Sequence, residues 1–131
     1  MSNITDAFPV SLTDVKKLFV GLPDITKAVS ILDTDSHLDW YCEENGWLIL
    51  TMFSNDSYKC LMFATDINGT NAIAVCGSGG QDEDTNICMV PVKAGYYVRW
   101  VACNGNKAID SSYWSKDLQK LNAAYFVPFC D

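Results

Sequence analysis

His37, the single histidine of the chain, lies among acids that could take part in proton transfer or nucleophilic catalysis. Its acidic neighbours are Asp33, Asp35 and Asp39, and a triad would need one of them together with a Ser or Cys nucleophile. The sequence Asp-Ser-His at 35–37 is typical of a polar turn, and no Gly-framed serine of a nucleophile elbow is present. We therefore interpret His37 as a solvated turn residue and expect neither a catalytic residue nor enzymatic activity.

The densest acidic run, residues 82–84, follows a glycine-rich stretch at residues 77–80. Carboxylate oxygens at alternate positions could hold calcium, but the spacing of glycine and glutamate in an EF-hand loop is absent. The glycines also lack the Lys-Ser/Thr that completes a phosphate-binding loop. We interpret residues 77–86 as a solvated polar loop, and the sequence predicts no metal site and no cofactor.

Tyr113 and Trp114 form an aromatic pair in a polar segment that also contains Ser111, Ser112 and Lys116. Aromatic rings that stack on a pyranose face, with polar groups beside them, are a common way to bind sugars. The alternative is that both rings fill an end of the fold or a subunit interface, because aromatic residues are above all packing residues. The pair is our candidate ligand-binding site, and both interpretations stay open.

Six cysteines could form three disulfides or take part in a zinc site. They are widely spaced, lie mostly in apolar runs and form no C-x-x-C motif, and one histidine cannot complete a recognisable zinc ligand set. We interpret them as free thiols that pack as small hydrophobic side chains, with disulfides as the alternative. The cysteines are Cys42, Cys60, Cys76, Cys88, Cys103 and Cys130.

The charge and hydropathy of the chain exclude several classes of partner. A net charge of -7 argues against nucleic acid, whose binding depends on cationic side chains. No apolar run approaches the roughly 20 residues of a membrane-spanning helix, and we see no signal-peptide pattern. We expect the chain to be synthesised in a cytoplasm and not to insert into a membrane.

The elements that position these residues are predicted to be almost entirely β-strands in one domain of 131 residues. Short apolar or alternating runs recur between turns every 8 to 12 residues, without βαβ alternation, which favours an antiparallel sandwich or barrel. The predicted strands cover residues 28–32, 38–42, 47–53, 58–65, 72–76, 87–92, 96–103 and 123–129. One short helix is predicted at residues 12–20, either covering an end of the sheet or connecting to an oligomer axis.

Residues 87–103 contain two apolar runs around the tripeptide Lys-Ala-Gly at 93–95. We expect a β-hairpin there, with Gly95 at positive φ, because glycine adopts that conformation at no steric cost. Pro91 cannot donate a ladder hydrogen bond, so we expect its strand at a sheet edge or at a bulge.

Several predicted strands are apolar on both faces. A two-sheet sandwich buries one face of each strand, and large exposed apolar patches are uncommon on monomers. Formation of a trimer would cover the second face. The residues we expect at an oligomer interface are Trp47, Ile49, Phe53 and Tyr97.

A series of short motifs in a fixed order resembles the jelly-roll head domains at the tips of phage and prophage tail fibres, and it extends over residues 22–129. The motifs are LPD at 22–24, NGWLI at 45–49, DING at 66–69, VPVKAGYYV at 90–98 and AYFVPF at 124–129. The resemblance implies a tumour-necrosis-factor-like β-sandwich, usually trimeric, that takes part in recognition of a host surface and shares no catalytic residue. Tyr96 departs from the family, in which an Asp usually follows the glycine of the hairpin turn.

From the residues and this resemblance we expect an all-β antiparallel jelly-roll sandwich with one short N-terminal helix. Residues 1–21 would be a lead-in with that helix, and residues 22–131 the head domain. The expected function is non-enzymatic attachment of a phage or prophage tail to a bacterial surface glycan or protein, by a homotrimer made in the bacterial cytoplasm and carried on the virion tail. The alternative is a bacterial carbohydrate-binding module that is not part of a virion.

Overall fold

The computed structural model describes residues 21–53, 58–78, 85–103 and 111–130, and these ranges contain eight β-strands and two short 3-10 helices. The strands are β1 (Val29–Ser30), β2 (Asp39–Tyr41), β3 (Gly46–Phe53), β4 (Lys59–Ala64), β5 (Ile73–Ser78), β6 (Thr85–Val92), β7 (Tyr97–Ala102) and β8 (Ala123–Pro128). The 3-10 helices are η1 (Ile25–Lys27) and η2 (Ser111–Ser115). The predicted all-β class is confirmed, and the helix predicted at residues 12–20 lies outside the described residues.

The strands form two four-stranded antiparallel sheets in a jelly-roll order. One sheet has the order β1-β8-β3-β6 and the other β2-β7-β4-β5. Strands pair from the outside of the chain inward: β1 with β8, β2 with β7, β3 with β6, and β4 with β5. This nested pairing is that of a long hairpin rolled into a sandwich, so the predicted jelly-roll architecture is confirmed.

The core lies between the two sheets and follows the alternation of the strands. On β3, Leu48 and Leu50 are fully buried between the sheets, whereas Ile49 between them points to the outer face and is half-buried. Trp100 on β7 faces the same core from the opposite sheet. The inner faces supply the apolar burial that holds the sandwich together.

The predicted hairpin between residues 87–92 and 96–103 is wrong. β6 pairs with β3, and β7 pairs with β2 and β4 in the other sheet, so the turn at 93–95 crosses between sheets. Gly95 does have positive φ (97°), but its N–H donates to the carbonyl of Cys42 (2.8 Å). Ala94 N donates to Asn45 Oδ1 (2.9 Å). The positive φ of Gly95 was predicted correctly. The strand pairing was not, because it depends on contacts between residues that are far apart in the sequence.

Two further predictions concern the flanks of this turn. β6 is an edge strand, which confirms the place expected for the strand of Pro91. The polar loop predicted at residues 77–86 is shorter than expected, because β5 extends through Ser78 and β6 begins at Thr85. The acidic run at 82–84 lies outside the described residues. None of the helices in the described ranges is long and apolar enough to cross a membrane.

Candidate functional site

The outer face of the β2-β7-β4-β5 sheet is covered by the chain itself, and we call it the covered face. Met62 on β4 and Val101 on β7 are fully buried there, although they point away from the core between the sheets. The cover comes from η2 and the residues after it, which place Trp114 and Leu118 on these strands. Part of the apolar surplus that the sequence indicated is therefore buried within one protomer.

Trp114 is the centre of this cover and is only 2% exposed. Its Nε1 donates to the carbonyl oxygen of Ile67 (3.0 Å), and the guanidinium carbon of Arg99 lies 4.6 Å from the centroid of its ring. The backbone of Gly69, at φ 83°, approaches the ring so closely that a Cβ there would lie 2.3 Å from it. Trp114 therefore packs inside the protein, as the alternative interpretation of the aromatic pair expected for it.

Tyr113 is half-buried and packs against the buried cluster of the covered face, and the two residues before it, Ser111 and Ser112, line a polar hollow of about 560 Å³. Its ring centroid lies 5.6 Å from the Nζ of Lys116. The hollow is lined by amide, hydroxyl and backbone groups of Asn68, Gly69, Thr70, Asn71, Ser111 and Ser112. Amide and hydroxyl groups are among the groups that bind sugars, but neither ring of the predicted aromatic pair lines this hollow. The ligand-binding role of Tyr113 therefore stays a prediction.

The turn that forms one wall of the hollow is fixed by Asp66. Its Oδ1 accepts hydrogen bonds from the backbone N–H groups of Asn68 (2.9 Å) and Thr70 (3.1 Å). A hydrogen bond from the Thr70 side chain, followed by these backbone bonds, lowers the pKa of Asp66 below its usual value of 3.8. The same turn brings Gly69 against Trp114, so its geometry serves both the hollow and the covered face.

An apolar groove of about 350 Å³ lies next to the hollow, and Asn71 lines both. The rings of Phe63 and Tyr96, 5.8 Å apart, form one part of its wall. Ile73 on β5 lines it as well and is 62% exposed. The two depressions together present polar and apolar surface at the same end of the sandwich.

The outer face of the β1-β8-β3-β6 sheet differs, and we call it the open face. Ile49 on β3 lies opposite Tyr125 on β8 and Met89 on β6, so the three form a row across the sheet. Met89 is 43% and Tyr125 42% exposed, and Ile87, two residues before Met89 on β6, is 75% exposed. Large apolar side chains thus remain in contact with water on this face.

The predicted interface residues do not all lie together. Trp47 and Ile49 both occupy outer positions of β3, and Trp47 Nε1 donates to the carbonyl oxygen of Gly21. Phe53 ends β3 opposite Thr85. Tyr97 lies on β7 of the other sheet, where its ring is 4.7 Å from that of Tyr41.

Three residues of the open face were missed at the sequence level: Ile87, Met89 and Tyr125. No alternation in the sequence separates Ile87 and Met89 from Cys88 and Val90, because all four are apolar, and only the structure shows that their exposure alternates. Tyr125 could not be assigned, because its place beside Ile49 follows from the pairing of β3 with β8.

The turn that contains His37 is polar, as predicted. The Oδ1 of Asp33 accepts backbone hydrogen bonds from Asp35 (2.8 Å) and His37 (2.9 Å). The hydrogen bond from the backbone of His37 is the main cause that lowers the pKa of Asp33. His37 Nδ1 lies 4.0 Å from the second oxygen of Asp33, and Asp39 instead pairs with Arg99 (2.9 Å). These groups stabilise a turn, and Asp33, Asp35 and His37 are close enough to one another to share a cation.

All six cysteines are free thiols in the structure. Cys42 and Cys60 are buried and the other four are half-buried. Cys42 Sγ donates to the carbonyl oxygen of Glu44 (2.9 Å), and burial raises the pKa of its thiol.

Comparisons of the chain with protein-family models, curated proteins and solved structures found no match. The fold assignment therefore rests on the strand order of this chain, and the assignment of a function rests on its surfaces.

Proposed function

We propose that this protein is the non-enzymatic head of a phage or prophage tail, which self-associates through its open face and attaches to a bacterial surface. The jelly-roll strand order and the series of motifs over residues 22–129 support the tail-head part of the proposal. The observation that carries the self-association is the open face itself, with Ile87, Met89 and Tyr125 exposed on one side of a sheet.

The outer positions of the open face contain no charged residue among the described strands. On β3 and β6 they are Trp47, Ile49, Thr51, Thr85, Ile87, Met89 and Pro91, and on β8 they are Ala123, Tyr125 and the fully buried Val127. In a chain in which 19% of residues are charged, such an uncharged surface is a specific feature. It resembles the centre of a protein interface, from which charged residues are depleted.

A second copy of this chain is the occupant that best fits the open face. The chain carries a net charge of -7, so two copies repel each other wherever their acidic surfaces approach. An uncharged apolar face is where like-charged copies can meet without burying unpaired charge. A closed ring of three copies, which the resemblance implies, would cover the face on every copy.

Analytical ultracentrifugation of the wild type and of the double variant Ile87→Lys, Met89→Lys tests this assembly. We expect a stable trimer for the wild type and monomers for the variant, because each lysine places a charge within the proposed interface. Ile73→Lys is the matched control, since Ile73 is also well exposed but lies on β5 of the other sheet. A wild type that is monomeric at micromolar concentration contradicts the proposal.

The attachment part is tested by binding of the labelled wild-type protein to bacterial cells and to purified surface polysaccharides. We expect saturable binding that the unlabelled protein competes away. Binding that is lost when the cells are stripped of polysaccharide indicates a glycan receptor, and binding lost after protease treatment indicates a protein receptor. Failure to bind any strain in a broad panel contradicts attachment as the function.

The alternative is a carbohydrate-binding module that acts as a monomer, and the hollow lined by amide and hydroxyl groups favours it. A glycan array of the wild type and of the double variant Asn68→Ala, Ser111→Ala tests this candidate, because both side chains line the hollow. Tyr58→Ala is a suitable control, because Tyr58 is 42% exposed and does not line the hollow. Glycan binding by a monomer that the double variant abolishes would favour the alternative, and binding that survives unchanged excludes the hollow as the sugar site.

A further inference from the structure

Two of the six thiols meet on the covered face. Cys60 on β4 lies opposite Val101 on β7, and both belong to the same buried cluster. The hydrogen bond from Cys103 N to the carbonyl of Tyr58 (3.0 Å) extends the β4-β7 ladder beyond β7. Cys103 therefore lies two positions from Val101 on the same face and packs against the buried cluster that contains Cys60, and the interaction between the two thiols adds to the raised pKa of Cys60.

A second pair of thiols meets across the two sheets. Cys76 lies on β5 and Cys88 on β6, which are edge strands of different sheets and share no backbone ladder. Both side chains pack against the core between the sheets, β5 and β6 contact each other, and the interaction between the two thiols adds to the raised pKa of Cys76. Thus four cysteines form two pairs of neighbouring thiols. One pair lies on the covered face and the other beside the core between the sheets.

We propose that these two pairs are sites of disulfide formation, Cys60 with Cys103 and Cys76 with Cys88, when the folded protein meets a disulfide-bearing oxidant. The pairing is set by the fold, because each thiol has a sulfur neighbour already in place. Cys42 has no place in either pair, because its thiol donates a hydrogen bond to the carbonyl oxygen of Glu44. The proposal is independent of the function proposed above.

The chemistry is two successive thiol–disulfide exchanges with a small disulfide such as oxidised glutathione. One protein thiolate attacks a sulfur of the small disulfide, the S–S bond breaks, and a small thiolate leaves. The second protein thiol loses its proton and attacks the mixed disulfide, which forms the protein disulfide and releases the second small thiolate. The two protons of the protein thiols end on the two released thiols, so two protein thiols are oxidised and one small disulfide is reduced.

Burial controls how fast these exchanges occur. It raises the pKa of Cys60 and of Cys76, which keeps their thiols protonated and slows their own attack. We therefore expect disulfide formation over hours rather than seconds at neutral pH. The Cys76–Cys88 bond would also join β5 to β6, the edge strands that are consecutive along the chain but separated between sheets.

The test is oxidation of the full chain in its folded state by glutathione buffers of rising disulfide content. The remaining thiols are blocked with N-ethylmaleimide, and the cross-linked peptides are mapped by mass spectrometry. We expect the two stated cross-links and the loss of four free thiols, with Cys42 and Cys130 still alkylated. Absence of cross-links, stable glutathione adducts in their place, or equally frequent bonds to Cys42 or Cys130 would each overturn the proposal.

Two controls separate a pairing set by the fold from random oxidation. The same reaction in denaturant should give mixed pairings, and a native product with the same mixture would refute the role of the fold. Cys88→Ser should remove only the Cys76 cross-link, Cys103→Ser only the Cys60 cross-link, and Cys130→Ser neither. The mapping of the wild type remains decisive even where one of these variants does not fold.

Discussion

The covered and open faces are the two outer surfaces of one sandwich, and both are apolar, yet the described residues cover the first much more completely than the second. Met62 on the covered face is fully buried, whereas Met89 on the open face is 43% exposed. An apolar outer face therefore does not by itself indicate an interface between subunits. What distinguishes the faces is the position of residues 111–122, the described part of the connection between β7 and β8 before β8 begins.

That connection lies on the sheet from which it starts. Gln119 N donates to the carbonyl of Trp100 (3.1 Å), and Leu118 pairs with Val101 as an isolated bridge. Leu121 N donates to the carbonyl of Ser36 (3.0 Å), which ties the end of the connection to the β1-β2 turn. Backbone hydrogen bonds thus hold the cover in place, and Trp114 fills the space beneath it.

Trp114→Ala is expected to have the largest effect, because it removes the centre of the cover that distinguishes the covered face from the open face. It removes a buried ring and its hydrogen bond to Ile67, so we expect a loss of about 3–5 kcal/mol in the free energy of unfolding. Urea denaturation measures this, with Tyr125→Ala on the open face as the control. The contrast between the faces fails if the two variants lose similar stability.

Gly69→Ala tests how tightly the cover is packed. A Cβ at residue 69 would meet the Trp114 ring at 2.3 Å, whereas a Cβ at Gly95, which also has positive φ, would meet nothing within 4 Å. Gly95→Ala should cost about 1 kcal/mol from backbone strain alone, and Gly69→Ala about 2 kcal/mol more from the clash. Equal losses in urea denaturation would show that the approach of Gly69 to the ring is unimportant.

Arg99→Met tests how much the charge of Arg99 contributes to the stability of the covered face. The variant keeps an apolar stem but loses the cation on the Trp114 ring and the pairing with Asp39. Because both contacts are partly exposed, we expect a loss of about 1 kcal/mol. A double-mutant cycle with Asp39→Asn should assign less than about half of that loss to the ion pair. If the ion pair accounts for more than half of the loss, the main stabilising interaction of Arg99 is with Asp39 rather than with Trp114.

The smallest expected effect is a pH dependence that arises at Asp66. Its pKa is lowered in the folded protein, so its contribution to stability is present above the unfolded value near 3.8 and is lost as the pH falls through the folded value. Asp66→Asn should therefore flatten the dependence of the urea midpoint on pH below about pH 4. An unchanged slope in that range would show that the turn does not depend on the charge of Asp66. The variant should leave the open face and its association unaffected.

The positions of the strands were predictable from the sequence, whereas their partners were not. Alternation and turn residues located all eight strands to within a few residues, including β3 and β8, because those signals are local. The pairing of β6 with β3 instead of β7 depends on a turn whose chemistry suits both a hairpin and a crossing between sheets. A glycine at positive φ, as at Gly95, is compatible both with a hairpin turn and with a turn that crosses between sheets.

The candidate sites show the same division between local and long-range information. Trp47 and Ile49 were assigned to the same face of one strand, and to an oligomer interface, because strand alternation puts them on the same side. Tyr97 was grouped with them although it lies on the other sheet, since only the topology separates the two. The burial of Trp114 could not be read from its polar neighbours, because the residues that enclose it, such as Gly69 and Arg99, are distant in sequence.

The position of β8 has a consequence for synthesis on the ribosome. β8 lies between β1 and β3 within its sheet, and it is the last of the described strands to be translated. Until it emerges, β1 has no ladder partner and β3 has an unpaired edge next to an apolar surface. Nascent chains that stall before residue 123 would present adhesive strand edges to one another, so a translational pause late in the message would favour aggregation.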